Sequence, residues 1–181
     1  YFDSAWTNVT NGLPQAYISS AKCSYKNSSH FFVTLSGHRS DDFNSYVYKT
    51  ENGGINWKSI QGDLPQLPVY DILIYPKGGD SVLFIGNHIG AYASLDGGLH
   101  WKRIGDNMPF IEIYDLEINY SEQTLIAASY GKSILSFPLK DILKSSVRTN
   151  ELSNFSYTLF PNPCNQYLIV KLNENSFSNE N

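Results

Sequence analysis

The chain has 181 residues with 17 acidic and 13 basic side chains, a net charge of −4, and an aromatic content of 14% that includes 13 tyrosines. The acidic balance and the lack of any Lys/Arg cluster speak against a nucleic-acid partner, and no apolar run approaches the roughly 18 residues that a transmembrane helix needs. The length admits one or two domains, and tyrosine suits half-buried pleated surfaces.

In chain order, the opening at Tyr1 carries no secretory leader and reads as the middle of a repeat in a longer secreted protein. Ala5-Trp6-Thr7-Asn8-Val9 is expected to be the outer strand of a unit whose earlier part lies outside the chain, with Thr10 to Pro14 crossing to the next. The first full unit spans about 15–60, with strands near 16–25, 30–36, 45–50 and 56–60. A polar, turn-rich insertion, Gly37 to Asn44, separates its second and third strands. Two acids in it, Asp41 and Asp42, are expected to be solvated.

This unit ends in Thr50-Glu51-Asn52-Gly53-Gly54-Ile55-Asn56-Trp57. The second unit, about 66–104, has strands at 69–75, 81–85, 90–93 and 100–104. It ends in Ser94-Leu95-Asp96-Gly97-Gly98-Leu99-His100-Trp101. Both endings read Ser/Thr-x-Asp/Asn-Gly-Gly-x-x-Trp. An Asp or Asn side chain can bond the amides of a turn, Gly supplies positive φ, and Trp carries a large apolar surface for a neighbour. We assign structural roles to Thr50, Asn52, Gly54, Trp57, Ser94, Asp96, Gly98 and Trp101. The third unit has strands at 113–120 and 123–129 and a last one within 130–139. It has neither the turn motif nor a Trp.

The register supports a repeat. Trp6, Trp57 and Trp101 lie 51 (57 − 6) and 44 (101 − 57) residues apart, and Pro14, Pro65 and Pro109 keep the same spacings. Tyr70 and Tyr114 share the second. A period of this size with four short strands per unit points to β-propeller blades. The expected fold is all-β: a partial propeller of about three four-stranded blades over 1–139, a linker over 140–154 with one helical turn at Asp141 to Lys144, and a segment at 155–181 whose reading as the start of a small β-sandwich is implied by the second resemblance below.

The two turn motifs resemble the Asp-box of the BNR-like propellers, which include sialidases, sortilin-like receptors and extracellular glucan hydrolases. The resemblance covers roughly 5–139, with Asn52 in place of the usual Asp. It implies a structural box lying away from the functional face. Tyr130-Gly131-Lys132-Ser133 resembles the exit segment of the last blade in such proteins. The resemblance also implies that the last blade is completed by a strand from the propeller's N-terminus, expected to lie outside this chain. A second resemblance is to the C-terminal sorting domain of type IX secretion cargo, carried by Leu159, Pro161, Asn162, Pro163 and Leu168, with Phe160 for the usual Tyr. It implies export by the type IX machinery to the surface or surroundings of a Gram-negative bacterium.

Chemistry-bearing residues are sparse. His30, His38, His88 and His100 are widely spaced and read as loop histidines, so neither a metal nor a cofactor is expected. Asp71 and Asp115 recur at one position in successive blades, which favours a structural hydrogen bond. Cys23 and Cys164 are read as separate thiols, since their pairing cannot be argued from spacing. The three arginines, Arg39, Arg103 and Arg148, are not placed to form a sialidase triad. We therefore read the chain as a non-catalytic scaffold binding a glycan or a protein, with exposed Phe43 and Phe110 as candidates for stacking on sugar rings. The alternatives are a glucanase-like glycoside hydrolase with its carboxylates in other blades, and a sortilin-like peptide receptor.

Overall fold

The computed structural model describes residues 5–131 and 133–144 in full, and the backbone of two further strands. Lys132, Cys164 and the sorting-motif residues Pro161, Asn162, Pro163 and Leu168 lie outside the described residues. The chain divides into two compact units, Tyr1–Ile142 and Leu143–Asn181.

The first unit is three antiparallel sheets. β1 (Tyr17–Cys23), β2 (Phe31–Gly37), β3 (Asp42–Thr50) and β4 (Lys58–Ser59) pair in chain order. So do β5 (Val69–Ile74), β6 (Leu83–Asn87), β7 (Gly90–Ser94) and β8 (Lys102–Arg103). The third sheet holds β9 (Ile113–Asn119), β10 (Thr124–Ser129) and β11 (Ile134–Pro138), with no fourth strand among the described residues. These are blades 1, 2 and 3, and their strands lie within a few residues of the expected positions. In the second unit, β12 (Tyr157–Phe160) pairs antiparallel with β13 (Ile169–Leu172).

The up-and-down order sets two ends. The β1–β2, β3–β4, β5–β6 and β7–β8 turns share one end, and the boxes lie there. The β2–β3 and β6–β7 turns and the crossings between blades share the other. Blade 1 exceeds blade 2 in length at this second end. Thr34 and Val47, paired across β2 and β3, are 13 residues apart (47 − 34), whereas the equivalent Gly86 and Ala91 are 5 apart (91 − 86). The extra residues form a 3-10 turn at His38–Ser40 and the αL residue Asp41, then lengthen β3. Asp42 is engaged there rather than free, since it accepts from Tyr46 Oη at 2.7 Å and from the side chain and backbone N–H of Asn44.

The core lies between the blades. Phe32 and Val47 of blade 1 meet Ile72, Ile74, Leu83 and Ile85 of blade 2 in one buried cluster with Trp101. β5 is buried at every residue, as a strand flanked on both faces and apolar apart from Asp71 should be. β9 buries Ile113, Leu116 and Ile118 and exposes its other residues, the alternation broken at a register shift after Ile113.

The inner strands are bolted together by one carboxylate. Asp71, 4% exposed, accepts a 2.9 Å bond from the Leu116 N–H of β9 and bonds Ser20 of β1. Its carboxyl is pushed up by burial, against the pull of these donors and of Lys22 at 3.9 Å. Asp115 holds the same register but is exposed, since no described blade follows β9 on that side.

Residues 5–9 form no strand. A fourth strand needs a third strand to pair with, and none precedes it among the described residues. At the other end, α1 (Leu139–Leu143) is longer than the expected turn. It buries Leu139 and Ile142, so the start of the expected linker is packed structure.

Candidate functional site

The two box turns close in the same way. Thr50 Oγ1 and Ser94 Oγ each donate to the Asn52 or Asp96 side chain and accept the N–H of Gly54 or Gly98, at 3.0 and 2.8 Å. Asn52 Oδ1 and Asp96 Oδ1 then accept the N–H of Asn56 and His100, at 2.9 and 3.0 Å. The side chains of Thr50, Asn52, Ser94 and Asp96 bond within their own hairpins, whereas the Trp57 indole N–H donates to the Val9 carbonyl and that of Trp101 to the Ile60 carbonyl of blade 1. Asp96 also meets His100 Nδ1 at 2.7 Å. Burial works against its charge, but the His100 and Ser94 bonds prevail and hold its pKa at about 2.

The opposite end gathers side chains of another kind. The first residues of the inner strands, the end of β2 and the β2–β3 turn converge on a cleft of about 300 Å³ lined by Tyr17, Ser19, Ser36, His38, Arg39, Tyr70 and Tyr114. Tyr70 and Tyr114, equivalent residues of β5 and β9, stack with ring centroids 4.4 Å apart and planes within 6°. Tyr130 continues the row, 5.8 Å from Tyr114 and 71% exposed. The arginine of the insertion, Arg39, lies 5.5 Å over the Tyr17 ring.

A polar chain backs the tyrosines. His88 Nδ1 lies 2.9 Å from both Tyr70 Oη and Glu112 Oε1. The Tyr114 hydroxyl donates to Glu112 Oε2 at 2.9 Å. Burial and the Glu112 charge push the Tyr70 phenol well above its usual pKa; Tyr114 is raised by burial and by its bond to Glu112. Both phenols stay neutral hydrogen-bonding groups at ordinary pH. His38 stands 5.9 Å from His88 and edge-on to Phe43 at 5.6 Å.

Phe43 and Phe110, the candidates picked from sequence, are 47% and 79% exposed. Phe43 belongs to the insertion beside the cleft. Phe110 lies in the crossing from blade 2 to blade 3, with the Arg103 guanidinium 4.8 Å from its ring centroid. The 44-residue spacing of Tyr70 and Tyr114 marked them as strand openers, but their stack, and the gathering of His38, His88 and Glu112, carried no local signal. His30 and His100 sit at the box end. His30 pairs there with Asp80 at 2.5 Å. No group of His, Cys, Asp and Glu among the described residues is arranged to hold a metal ion. Cys23 is an exposed free thiol. No helix among the described residues is long and apolar enough to cross a membrane.

The arrangement offers flat aromatic faces, neutral hydroxyls, two imidazoles, a guanidinium and one carboxylate around a shallow cleft. Such a surface can stack a ring and bond its edge groups.

No protein-family profile and no curated protein matches the sequence. Solved structures do match in fold. The GH74 enzyme of Niastella koreensis superimposes with a TM-score of 0.52 at 14% identity, over 66% of this chain and 21% of that one. An ancestral GH74 enzyme gives 0.52 at 22% identity, over 67% and 18%. The GH74 xyloglucanase from Xanthomonas campestris gives 0.51 at 8% identity, over 67% and 21%. The chain thus spans about a fifth of the length of these neighbours, and what it shares with them is the β-propeller fold.

Proposed function

We propose that this chain is the glycan-binding part of an extracellular β-propeller protein, with the Tyr70–Tyr114–Tyr130 row as its platform. The observation that carries the reading is the half-exposed Tyr114, stacked on the buried Tyr70 beside a polar cleft, at the end opposite the boxes. A pyranose presents apolar C–H faces and a rim of hydroxyls. The exposed rings of Tyr114 and Tyr130 suit the first, and Ser19, Ser36, His38 and Arg39 suit the second. Similarity of fold to glycan-acting GH74 enzymes supports a saccharide over a peptide. Glu112 is tied to His88 and Tyr114, which favours binding over catalysis, since glycoside hydrolysis uses two carboxylates set across the sugar.

Export by the type IX machinery belongs to the same reading, supported by the resemblance carried by Leu159, Pro161, Asn162, Pro163 and Leu168 in the sequence.

The test is native gel electrophoresis through soluble β-glucans, xyloglucan included. Retardation is expected for the wild-type chain and its loss for Tyr114→Ala. Equal mobility of the two proteins in every glycan would overturn the platform. Release of reducing ends from the same polymers by the chain alone would instead establish a hydrolase.

A further inference from the structure

The charge of the cleft is one-sided. Among the described residues lining it, the charged side chain is Arg39, in the β2–β3 turn. Its guanidinium rests 5.5 Å over the Tyr17 ring, which holds the side chain across the opening. No carboxylate among the described residues pairs with it. Asp42, in the same turn, is held by Tyr46 and Asn44, and Asp41 is exposed to solvent. Glu112, behind the tyrosines, is committed to His88 and Tyr114.

The hydroxyls of the lining divide into spent and open. Ser19 Oγ donates to the Val69 carbonyl at 2.8 Å, and the Tyr114 hydroxyl donates to Glu112. Each of these has only lone pairs left to offer a ligand. Ser36, the cross-strand partner of Tyr17, is different. It is 9% exposed, and its hydroxyl makes no hydrogen bond among the described residues. A polar group so deeply buried ordinarily has a partner, and the open side here is the cleft. The Arg39 fork and the Ser36 O–H are thus free donors on one wall.

We propose that the cleft selects an acidic saccharide, with the carboxylate of a hexuronate taken by Arg39 and Ser36 and its ring lying against Tyr114. The inference rests on the glycan-binding reading and narrows it to a class of sugar. The hydroxyls of a neutral pyranose are donors as well as acceptors, whereas a carboxylate brings acceptors alone. Its two coplanar oxygens match the guanidinium fork, and bonds to charged groups are the stronger kind. A uronate carboxylate stands on the rim of the ring, so a ring laid flat on Tyr114 carries it at the edge where the donors are. A cleft of about 300 Å³ is at the small end for ligand pockets and suits one sugar unit, with further units running out over Tyr130. The chain's net charge of −4 gives no general attraction to polyanions, which makes the preference local to Arg39. Neutral glucans use the tyrosine faces and forgo the ion pair.

Calorimetric titration of the 181-residue chain tests this, with trigalacturonic acid, its methyl ester, a xyloglucan oligosaccharide and a sulfated galactose oligomer as probes. The acid is expected to bind at least about tenfold tighter than its ester, the loss of a charge-assisted bond, and the gap should shrink as salt is added. Arg39→Met, at an exposed site, is expected to bind acid and ester alike. Ser36→Ala should narrow the gap without closing it. Acid bound no tighter than ester, with both still bound, would overturn the inference and leave the tyrosine platform standing, as would a preference that survives Arg39→Met. A sulfated oligomer bound as tightly as the acid would overturn the assignment to a carboxylate. No binding of any probe would overturn the platform and the inference together.

Discussion

The indole N–H of Trp101 and the main-chain carbonyl of Ile60 meet at 3.1 Å across the boundary between two blades, 41 residues apart in sequence. The same bond from Trp57 to Val9 shows that the relationship belongs to the repeat. Local turn chemistry places the Trp, and the Trp then joins sheet to sheet. Trp101 is 8% exposed. Trp101→Ala is expected to cost about 3–5 kcal/mol in urea-unfolding experiments. Trp101→Phe is expected to cost less, keeping most of the packing and losing the bond, worth about 1 kcal/mol.

Two glycines of the boxes should respond differently to the same change. Gly98 has a φ of 93°, and a Cβ there would fall 2.5 Å from the Ile60 carbonyl oxygen. Gly53 also has positive φ, at 69°, but open space around it. Gly53→Ala carries only the conformational cost, about 1 kcal/mol. Gly98→Ala carries that cost plus the clash with backbone, so its thermal midpoint should fall well below that of Gly53→Ala.

The pH dependence of the second box follows from its charged pair. The folded pKa of Asp96, about 2, lies below its usual 3.8, so its contribution is present above pH 3.8 and is lost as pH falls toward 2. His100 is raised above 6.5 by its bond to Asp96, so its contribution is complete below pH 6.5 and is lost as pH rises through the folded value. Thermal melts from pH 2 to 8 should show this box most stable between about 4 and 6.5. Asp96→Asn, which copies Asn52 of the first box, should flatten both limbs while keeping the turn.

Asp71 should be intolerant of truncation. Asp71→Ala leaves the buried Leu116 N–H without its acceptor and is expected to cost about 1–3 kcal/mol. Asp71→Asn keeps an acceptor and removes a charge that burial disfavours, so it should unfold close to the wild type. Urea midpoints of the two variants measure the difference.

The repeat was legible because each unit carries its own punctuation. Gly-Gly after Asn52 or Asp96, and Trp after the turn, are dictated by local geometry, so three strands and a box can be read from one segment. The length of blade 1 was legible too, since Gly37 to Asn44 interrupts an otherwise matched register. What was not legible depends on neighbours. Asp71 and Asp115 are alike in sequence, but only Asp71 lies between two blades. Trp6 to Val9 spells a fourth strand but lacks a third strand to pair with. The candidate site draws Tyr70, His88, Glu112 and Tyr114 from three strand ends, and no spacing rule predicts that Tyr70 and Tyr114 stack.

Hydrogen exchange of the backbone with and without xyloglucan oligosaccharides tests the assignment of the binding face most directly. The account predicts slowed exchange at the openings of β5 and β9, around Tyr70 and Tyr114, and through His38 to Phe43, with none at the boxes. Protection confined to the boxes at 50–57 and 94–101, or no protection anywhere, would contradict it.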